Sequence, residues 1–279
     1  MTSVAPRPTL FSALPQLFAS GLSRGFLIRQ LAVREVVSRY RGSWLGLVWS
    51  LVNPLLMLAV YTFVFGIVFR VRWGQRGDDG PIGFALVLFA GLIVHGFFAE
   101  CVTRAPGLVV GNANYVKRVV FPLEILPYVA LAAALFHAAV SLVVLLAFFV
   151  ATAGMPPLTI ALLPIVWAPF ALLILGLCWF LASLGVYLRD IGQVTQPVVT
   201  VLLFLSPVFF PLEALPPALR PWLQLNPLTF IIDQTRAVLL WGQMPDWTGL
   251  AAYALVGLLV AWLGFYWFER TRRGFADVL

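Results

Sequence analysis

Long apolar stretches alternate along the chain with short segments that carry most of the charged residues. A helix that crosses a bilayer needs about 20 mostly apolar residues, and six stretches meet this requirement. The pattern therefore predicts six spanning helices: Trp44–Phe69, Ile82–Thr103, Ile125–Thr152, Leu158–Leu188, Val194–Leu212 and Trp247–Phe268. Only residues 153–157, with one glycine and two prolines, separate the third and fourth stretches, so these two spans should form a hairpin.

The segment before the first span, residues 26–43, has the periodicity of an amphipathic helix. The apolar residues that share one side of this predicted helix are Phe26, Val33, Val36, Val37 and Tyr40. The charged residues fall on the other sides, apart from Arg29 at the edge of the apolar stripe. We expect this helix to lie in the membrane interface, although a basic anchor that only sets orientation has the same pattern. Residues 1–25 are expected to be a flexible tail.

Residues 213–246, between the fifth and sixth spans, are rich in proline and yet remain apolar. A segment too broken to span and too apolar to dissolve in water is best explained by short re-entrant or interfacial helices on the outer face, within residues 207–232. An ordinary extracellular loop is the alternative. Pro54 in the first span and Pro207 in the fifth each remove a backbone hydrogen bond and should kink their helices.

Composition and charge support a membrane protein. The chain is 62% hydrophobic and 10% charged, whereas soluble domains are about half apolar and about a quarter charged. A soluble enzyme of this length is therefore excluded. The formal charge of +7 would suit a nucleic acid partner, but the cations lie between and outside the apolar stretches. With a cytoplasmic N-terminus, most Lys and Arg residues fall on the cytoplasmic side, so we predict both termini there and no nucleic acid partner.

The sequence carries little of the chemistry that an enzyme needs. Its one lysine, Lys117, follows a valine, so the chain lacks the phosphate-binding loop G-x-x-x-x-G-K-[ST]. His95 and His137 lie in different spans, and neither belongs to a metal-binding motif. Glu100 and Glu124 lie near span ends, which disfavours ion-coupled transport because such carriers need several ionisable groups facing one another. We predict no catalytic residues, no metal site and no cofactor in this chain.

Aromatic residues make up 14% of the chain, and some of them follow a helical period. On the first span Trp49, Asn53, Met57 and Tyr61 recur every four residues, so one helix face is both polar and aromatic. Aromatic rings stack on the C–H surfaces of sugars, while phenols and amides bind hydroxyls. Such a face suits a passage for a sugar chain, although packing against lipid explains any single aromatic residue.

Four segments in order resemble one transporter family. The first follows the pattern R-E…R-Y-R-x-S-x-L-G…W…N-P, met by Arg34, Glu35, Arg39, Tyr40, Arg41, Ser43, Leu45, Gly46, Trp49, Asn53 and Pro54. The three later segments are Tyr115–Pro127, Tyr187–Val194 and Leu205–Arg236. Together they resemble the transmembrane subunit of ABC exporters for bacterial surface polysaccharides, the family of O-antigen, capsule and teichoic acid permeases.

The resemblance implies an all-α half-transporter with six spans in residues 44–268 and a cytoplasmic tail at 269–279. Two copies of the chain would form the pore in the bacterial inner membrane. Two copies of a separate ATP-binding subunit would bind ATP and Mg²⁺, so this chain would not itself be an enzyme. The implied substrate is a lipid-linked polysaccharide, similar to O-antigen.

The resemblance also implies roles for particular residues. A coupling helix within residues 107–122 would dock on the ATPase through Asn114, Tyr115, Lys117 and Arg118, with a second contact at Arg189 and Asp190. The amphipathic helix would act as a gate, where Arg34, Arg39 and Arg41 meet the anionic phosphate of the substrate. The re-entrant segment would close the outer end. The candidate channel-lining residues are Trp49, Asn53, Tyr61, Phe204, Phe209 and Phe210.

Other functions have different sequence requirements. A permease for drugs or small lipids would share the six spans but lack the R-E…R-Y-R start and the N-P-L-T segment. A lipid-linked glycosyltransferase should carry clustered carboxylates on a large loop, whereas Asp78 and Asp79 lie between two glycines, as in a turn. A channel or structural subunit would not need a basic coupling loop.

Overall fold

The computed structural model describes residues 10–68, 80–118 and 121–279, which form helices joined by short turns and contain no strand. Short 3₁₀ turns precede several helices. The α-helices are α1 (Leu10–Ser23), α2 (Gly25–Tyr40), α3 (Trp49–Tyr61), α4 (Gly80–Arg104), α5 (Gly107–Val110), α6 (Ala113–Arg118), α7 (Leu126–Ala153), α8 (Leu163–Tyr187), α9 (Ile191–Phe204), α10 (Arg220–Gln224), α11 (Pro227–Leu239), α12 (Trp247–Thr271) and α13 (Phe275–Val278).

Five helical segments within the described residues are long and apolar enough to cross a membrane: Gly46–Val64, Ile82–Arg104, Leu123–Ala153, Leu158–Tyr187 and Trp247–Val278. They coincide with predicted spans one to four and six. The predicted hairpin is confirmed, because α7 and α8 pack together across a turn in which Gly154 adopts a φ of +92°. A positive φ of this size is accessible to glycine at little steric cost.

The fifth predicted span is shorter than its apolar stretch. Helix α9 has 14 residues and ends at Phe204, although the sequence stays apolar to Leu212. Pro207 disfavours helical geometry at Ser206, and the Ser206 hydroxyl instead donates to the carbonyl of Leu203 at 2.8 Å. The prediction of a kink at Pro207 is therefore wrong, because the helix ends before it. Pro54, in contrast, lies inside α3 as predicted.

Asn226 joins the end of α9 to the start of α11. Its amide nitrogen donates to the carbonyls of Leu202 and Leu205 at 3.2 and 3.0 Å. Its oxygen accepts from the backbone N–H of Leu228 at 2.9 Å, as an N-cap of α11. One side chain thus satisfies backbone groups at two helix ends. The predicted re-entrant segment consists of a 3₁₀ turn, α10 and the first part of α11, and one side of α11 is buried.

The core has its closest backbone approach between α8 and α12. A Cβ atom added at Gly264 would collide with the carbonyl oxygen of Gly176, and one at Gly257 with that of Pro169. Trp179 and Phe265 fill the space beside these glycines, with ring centroids 5.1 Å apart. Small residues let the two helices approach, and large side chains then pack around the contact.

The N-terminal segment is a helix rather than the flexible tail expected for residues 1–25. Helix α1 packs against α12, and Ala13 and Leu17 are fully buried. The hydroxyl of Tyr128 donates to the carbonyl of Leu17 at 2.6 Å. Burial of this apolar side explains why residues 10–23 are ordered despite Pro15. Residues 1–9 lie outside the described part of the chain.

Helix α2 ends at Tyr40, three residues before the predicted boundary, and its predicted apolar stripe is divided between two surfaces. Val36 and its neighbour Ala32 are buried. Phe26, Val33 and Val37 are exposed on another side. The division arises because α2 packs on α7 with only a narrow strip of small residues. The loop with Asp78 and Asp79 lies outside the described residues.

Candidate transport site

Ion pairs hold α2 against α4. Glu35 in α2 binds Arg104 at the end of α4. One turn further along α2, Arg39 binds Glu100 at 2.6 Å, and Arg104 lies 3.6 Å from the same carboxylate. Acidic and basic residues thus face each other across the two helices, with the acidic partners more than three-quarters buried. These contacts fix the position of α2 on the bundle.

Glu100 also binds a histidine from a third helix. Its two carboxylate oxygens lie 2.9 Å from Nδ1 of His137 in α7. Because a carboxylate only accepts, we assign the proton of the neutral imidazole to Nδ1, which donates to Glu100. Nη1 of Arg39 lies 3.3 Å from Nδ1 and donates to the same carboxylate. The edge of the Tyr40 ring packs on the His137 imidazole at a centroid distance of 6.0 Å. The other imidazole nitrogen, Nε2, is buried and lacks a hydrogen-bond partner among the described residues.

These groups border a cavity of about 430 Å³ between α3, α4 and α7. The polar residues that line it are Arg39, Tyr40, Ser50, Asn53, Tyr61, His95, Glu100, His137 and Ser141. Phe89 and Phe97 of α4 contribute aromatic walls. The volume is within the range of small-molecule sites, about 300–1,000 Å³. His95 and His137, which the sequence placed in different spans, therefore share one cavity.

The segment between α4 and α7 is packed on both α8 and α2. A Cβ atom at Gly185 of α8 would collide with the backbone of Pro106, so the start of this segment lies directly on α8. Arg34 of α2 donates to the hydroxyl of Tyr115 at 2.9 Å. The Tyr115 ring stacks on Phe121 with a centroid distance of 4.4 Å. The predicted coupling segment and the predicted gate helix are thus in direct contact.

Glu124, just before α7, connects this segment to residues that follow α1 and α12. Its carboxylate binds Arg24, which follows α1, and Arg272 at 2.7 Å, which follows α12. Arg272 also donates to the carbonyl of Phe121 at 3.1 Å. The indole of Trp179 donates to the backbone oxygen of Glu124 at 3.0 Å. The buried carboxylate is therefore paired, as low-polarity surroundings require.

Arg236 of α11 is fully buried beside the first half of α4, whereas Glu100 lies near the end of that helix. It donates to the carbonyls of Pro207 at 2.5 Å and Val208 at 3.2 Å, which lie beyond the end of α9. Its Nε donates to the carbonyl of Val87 in α4 at 3.0 Å. A Cβ atom at Gly91 would lie 2.7 Å from Nη2, so the glycine makes room for the guanidinium. Arg236 thereby ties the broken end of α9 to α4.

The structure divides the predicted channel-lining residues into two groups. Asn53 and Tyr61 line the cavity, while Trp49 on the same helix is 37% exposed on the surface. Phe204 and Phe209 stack on each other at 5.6 Å, and Phe204 is exposed. Phe210 is half-buried in the turn that follows. The second group does not line the cavity and lies at and beyond the end of α9.

The predicted gate and coupling residues have different surroundings. Arg34 and Arg39 are engaged as described above, and Arg41 is exposed. The remaining predicted coupling residues occur in α6 and in the turn before α9. Asn114 is exposed beside Tyr115, and Arg189 and Asp190 are exposed between α8 and α9. The side chains of Lys117 and Arg118 lie outside the described residues.

Sequence reasoning missed the residues that organise this site. Glu100 was placed only near a span end, His137 was assigned to no motif, and Arg236 was given no role of its own. Glu35 and Arg104 are 69 positions apart, so their pairing leaves no local pattern. A usable signal existed for Arg236, since an arginine in an apolar helix needs acceptors and Pro207 prevents a continuous helix nearby. The described residues contain no group of three His, Cys, Asp or Glu that could hold a metal ion.

The chain is similar in sequence to several membrane transport proteins. An O-antigen export system permease protein of Myxococcus xanthus is 29% identical over 91% of this chain and 95% of its own length. A polysialic acid transport protein of Escherichia coli is 24% identical over 85% of this chain and 90% of its own length. A capsule polysaccharide export inner-membrane protein of Neisseria meningitidis is 25% identical over 76% of this chain and 78% of its own length. The model of the ABC-2 type transporter family matches residues 27–240, and the chain belongs to this family.

Proposed function

We propose that the chain is the permease subunit of an ATP-driven exporter that carries a lipid-linked polysaccharide, similar to O-antigen, across the bacterial inner membrane. The observation that carries this proposal is the similarity, over most of the chain, to relatives named for O-antigen, polysialic acid and capsule export. The polar and aromatic cavity between α3, α4 and α7 supports it, because such a lining suits sugars better than drugs or acyl chains. A separate ATP-binding subunit supplies the energy.

The proposed contact with the ATPase is the segment containing α5 and α6. Its exposed Asn114 and half-buried Tyr115 are well placed for a partner, together with Arg189 and Asp190 at the start of α9. In this arrangement both termini are cytoplasmic, because α1 and the end of α12 meet at Glu124 beside the same segment. The excess of Lys and Arg on this side agrees with the positive-inside rule.

Helix α2 serves as the gate for the lipid-linked substrate. Its exposed apolar residues, Phe26, Val33 and Val37, suit insertion into the interface of the inner leaflet. The exposed Arg41 and Arg34 suit a phosphate headgroup there, while the ion pair with Glu100 holds Arg39 beside them. The hydrogen bond from Arg34 to Tyr115 transmits movement of the coupling segment to α2. ATP binding thus opens the lateral entry.

The transport path lies between two copies of the chain. Helix α9 and the residues up to Leu212 form the fifth span, and α10 with the start of α11 closes the outer end as a re-entrant segment. Helices α3 and α9 both expose long apolar surfaces, which a second copy covers in part. Trp49, Phe204, Phe209 and Phe210 are then wall residues of the shared path, next to the cavity that contains Asn53 and Tyr61.

Affinity purification from native membranes in mild detergent, followed by mass spectrometry, tests this function. We expect an ATP-binding subunit in equal amount. Asn114→Trp should remove this subunit by steric conflict, whereas Tyr115→Phe should retain it because the ring still stacks on Phe121. Thr152→Trp, at the far end of α7, is the matched control. A chain that purifies intact and alone, without an ATP-binding subunit, would overturn the proposal.

A further inference from the structure

We propose that the cavity between α3, α4 and α7 binds a single neutral, hydroxyl-rich ring, with His137 Nε2 accepting a hydrogen bond from a ligand hydroxyl. This inference rests on the proposed function and deepens it, since it assigns a sugar-binding site within each chain. The site is built from α3, α4, α7 and the end of α2.

The first argument is the unsatisfied imidazole nitrogen. Buried polar atoms in proteins are nearly always hydrogen-bonded, so an exception requires an explanation. Nδ1 of His137 donates to Glu100 at 2.9 Å, and in the neutral ring Nε2 is therefore an acceptor. Nε2 is buried without a protein partner among the described residues, and His137 lines the cavity. The complementary ligand group is a donor such as a hydroxyl.

The second argument is the charge of the lining. The titratable groups that face the cavity are Arg39, Tyr40, Tyr61, His95, Glu100 and His137. Arg39 and Glu100 form an ion pair at 2.6 Å, and Arg104 lies 3.6 Å from the same carboxylate on its outer side. The cationic charge is therefore already compensated by Glu100 and Glu35. A neutral ligand suits this lining better than a phosphate.

The third argument is the combination of polar and aromatic walls. Ser50 and Ser141 direct their hydroxyls to the carbonyls of Leu47 and His137, so they are already satisfied by the protein. The amide of Asn53 offers both a donor and acceptors at the cavity wall. Phe89 and Phe97 add ring surfaces. Amide, imidazole and aromatic groups together match the hydroxyls and C–H faces of a sugar.

Photolabelling of the full chain in lipid nanodiscs tests this site. The probe is an alkyl glucoside with a diazirine on the sugar ring, and the matched probe is the same alkyl chain and diazirine on phosphocholine. We expect the glucoside to label peptides of α3 and α7 and free glucose oligomers to compete. His137→Asn keeps a donor near Nδ1 and removes Nε2, so labelling should fall about fivefold. Thr152→Ala, at the exposed far end of α7, should change little.

Gly96 provides an independent variant. It lines the cavity, and a Cβ atom there would meet no atom within 4 Å, so larger side chains have room. Gly96→Phe should occupy the cavity and abolish labelling, while Gly96→Ala preserves it. Equal labelling by the phosphocholine probe, or unchanged labelling in both His137→Asn and Gly96→Phe, would overturn the inference. Co-purification of the ATP-binding subunit tests the proposed function in a separate experiment. Loss of labelling alone would therefore reject this site without rejecting the proposed function.

Discussion

Two spanning helices of similar hydropathy are packed very differently. The most apolar stretch of Ile82–Arg104 has a mean hydropathy of 2.3, and 72% of it is buried inside the protein. The corresponding stretch of Gly46–Val64 has a mean hydropathy of 1.9, but only 6% of it is buried. The first is surrounded by α7, α8, α9 and α11, and the second contacts mainly α7 and one side of α4. Hydropathy therefore identifies a span but does not report what covers it.

The exposed helices are also the ones that carry the predicted channel residues. Helix α9 presents an apolar stripe at helical spacing, formed by Val194, Val198, Val201 and Leu205, all about half exposed. Helices α8 and α12, in contrast, share a backbone contact that excludes side chains. Helices α8 and α12 thus form a closely packed part of the chain, whereas the surfaces of α3 and α9 are available to lipid or a second copy. Four experiments test this difference between the two parts.

The largest effect should come from the closely packed part. Gly264→Leu places a side chain against the carbonyl of Gly176 and must separate α8 from α12. We expect a loss of stability of about 3 kcal/mol or more, seen as a lower melting temperature of the detergent-solubilised chain or as loss of folded protein. Gly192→Leu on α9, where an added Cβ meets no atom within 4 Å, should melt close to the wild type. Equal melting of both variants would contradict the packing described.

The next largest effect should follow from Arg236→Met. The substitution keeps apolar volume but leaves the buried carbonyls of Pro207 and Val208 without their donor. We expect a loss of about 3 kcal/mol, measured by the same melting assay. Gly91→Ala, which crowds the guanidinium without removing it, should cost less. An Arg236→Met variant as stable as the wild type would mean that these bonds do not hold the end of α9.

Disulfide crosslinking sharpens the comparison at the exposed surfaces. In a Cys101→Ala, Cys178→Ala background, Val198→Cys on α9 should crosslink two copies in native membranes on mild oxidation. Leu259→Cys, half exposed on α12, should not crosslink. Stability should change by less than about 0.5 kcal/mol in both cases, because neither side chain is in the core. Crosslinks through Leu259→Cys and none through Val198→Cys would show that the second copy contacts α12 instead of α9.

The smallest effect concerns the start of α12. Asp246 caps this helix, and the hydrogen bond from the Thr248 hydroxyl, with further bonds from the Gly249 and Thr248 N–H groups, lowers the pKa of its carboxyl. A lowered pKa stabilises the fold above the unfolded pKa of about 3.9, and this contribution is lost as the pH falls through the folded value. We expect a small drop in melting temperature of the wild type below pH 4 relative to Asp246→Asn. Parallel pH profiles would contradict it.

The spans and their turns were predictable because they depend on local sequence. The length of apolar runs is set by bilayer thickness, and Gly154 with the two following prolines marks a turn. The formation of an ordered helix by residues 10–23 was not predictable, since it depends on burial of Ala13 and Leu17 against α12. Likewise, the end of α9 depends on Asn226, more than 20 positions away.

The candidate site was only partly predictable. The family resemblance indicated Arg34 and Tyr115 separately, but their hydrogen bond follows from how α2 lies on the bundle. Asn53 and Tyr61 were found from the helical period of α3. Glu100 and His137 were not found as a pair, because two residues 37 positions apart on different helices leave no periodic signal.

Export of lipid-linked polysaccharide from the cytoplasm by this chain can be tested in the cell. The most direct measurement is deletion of its gene in the bacterium that encodes it, with surface polysaccharide and lipid-linked polysaccharide inside the cell measured separately. We expect surface polysaccharide to be lost and the lipid-linked form to accumulate inside. The wild-type gene should restore export, whereas the Gly264→Leu variant should not. Unchanged surface polysaccharide in the deletion strain would show that this chain is not the exporter.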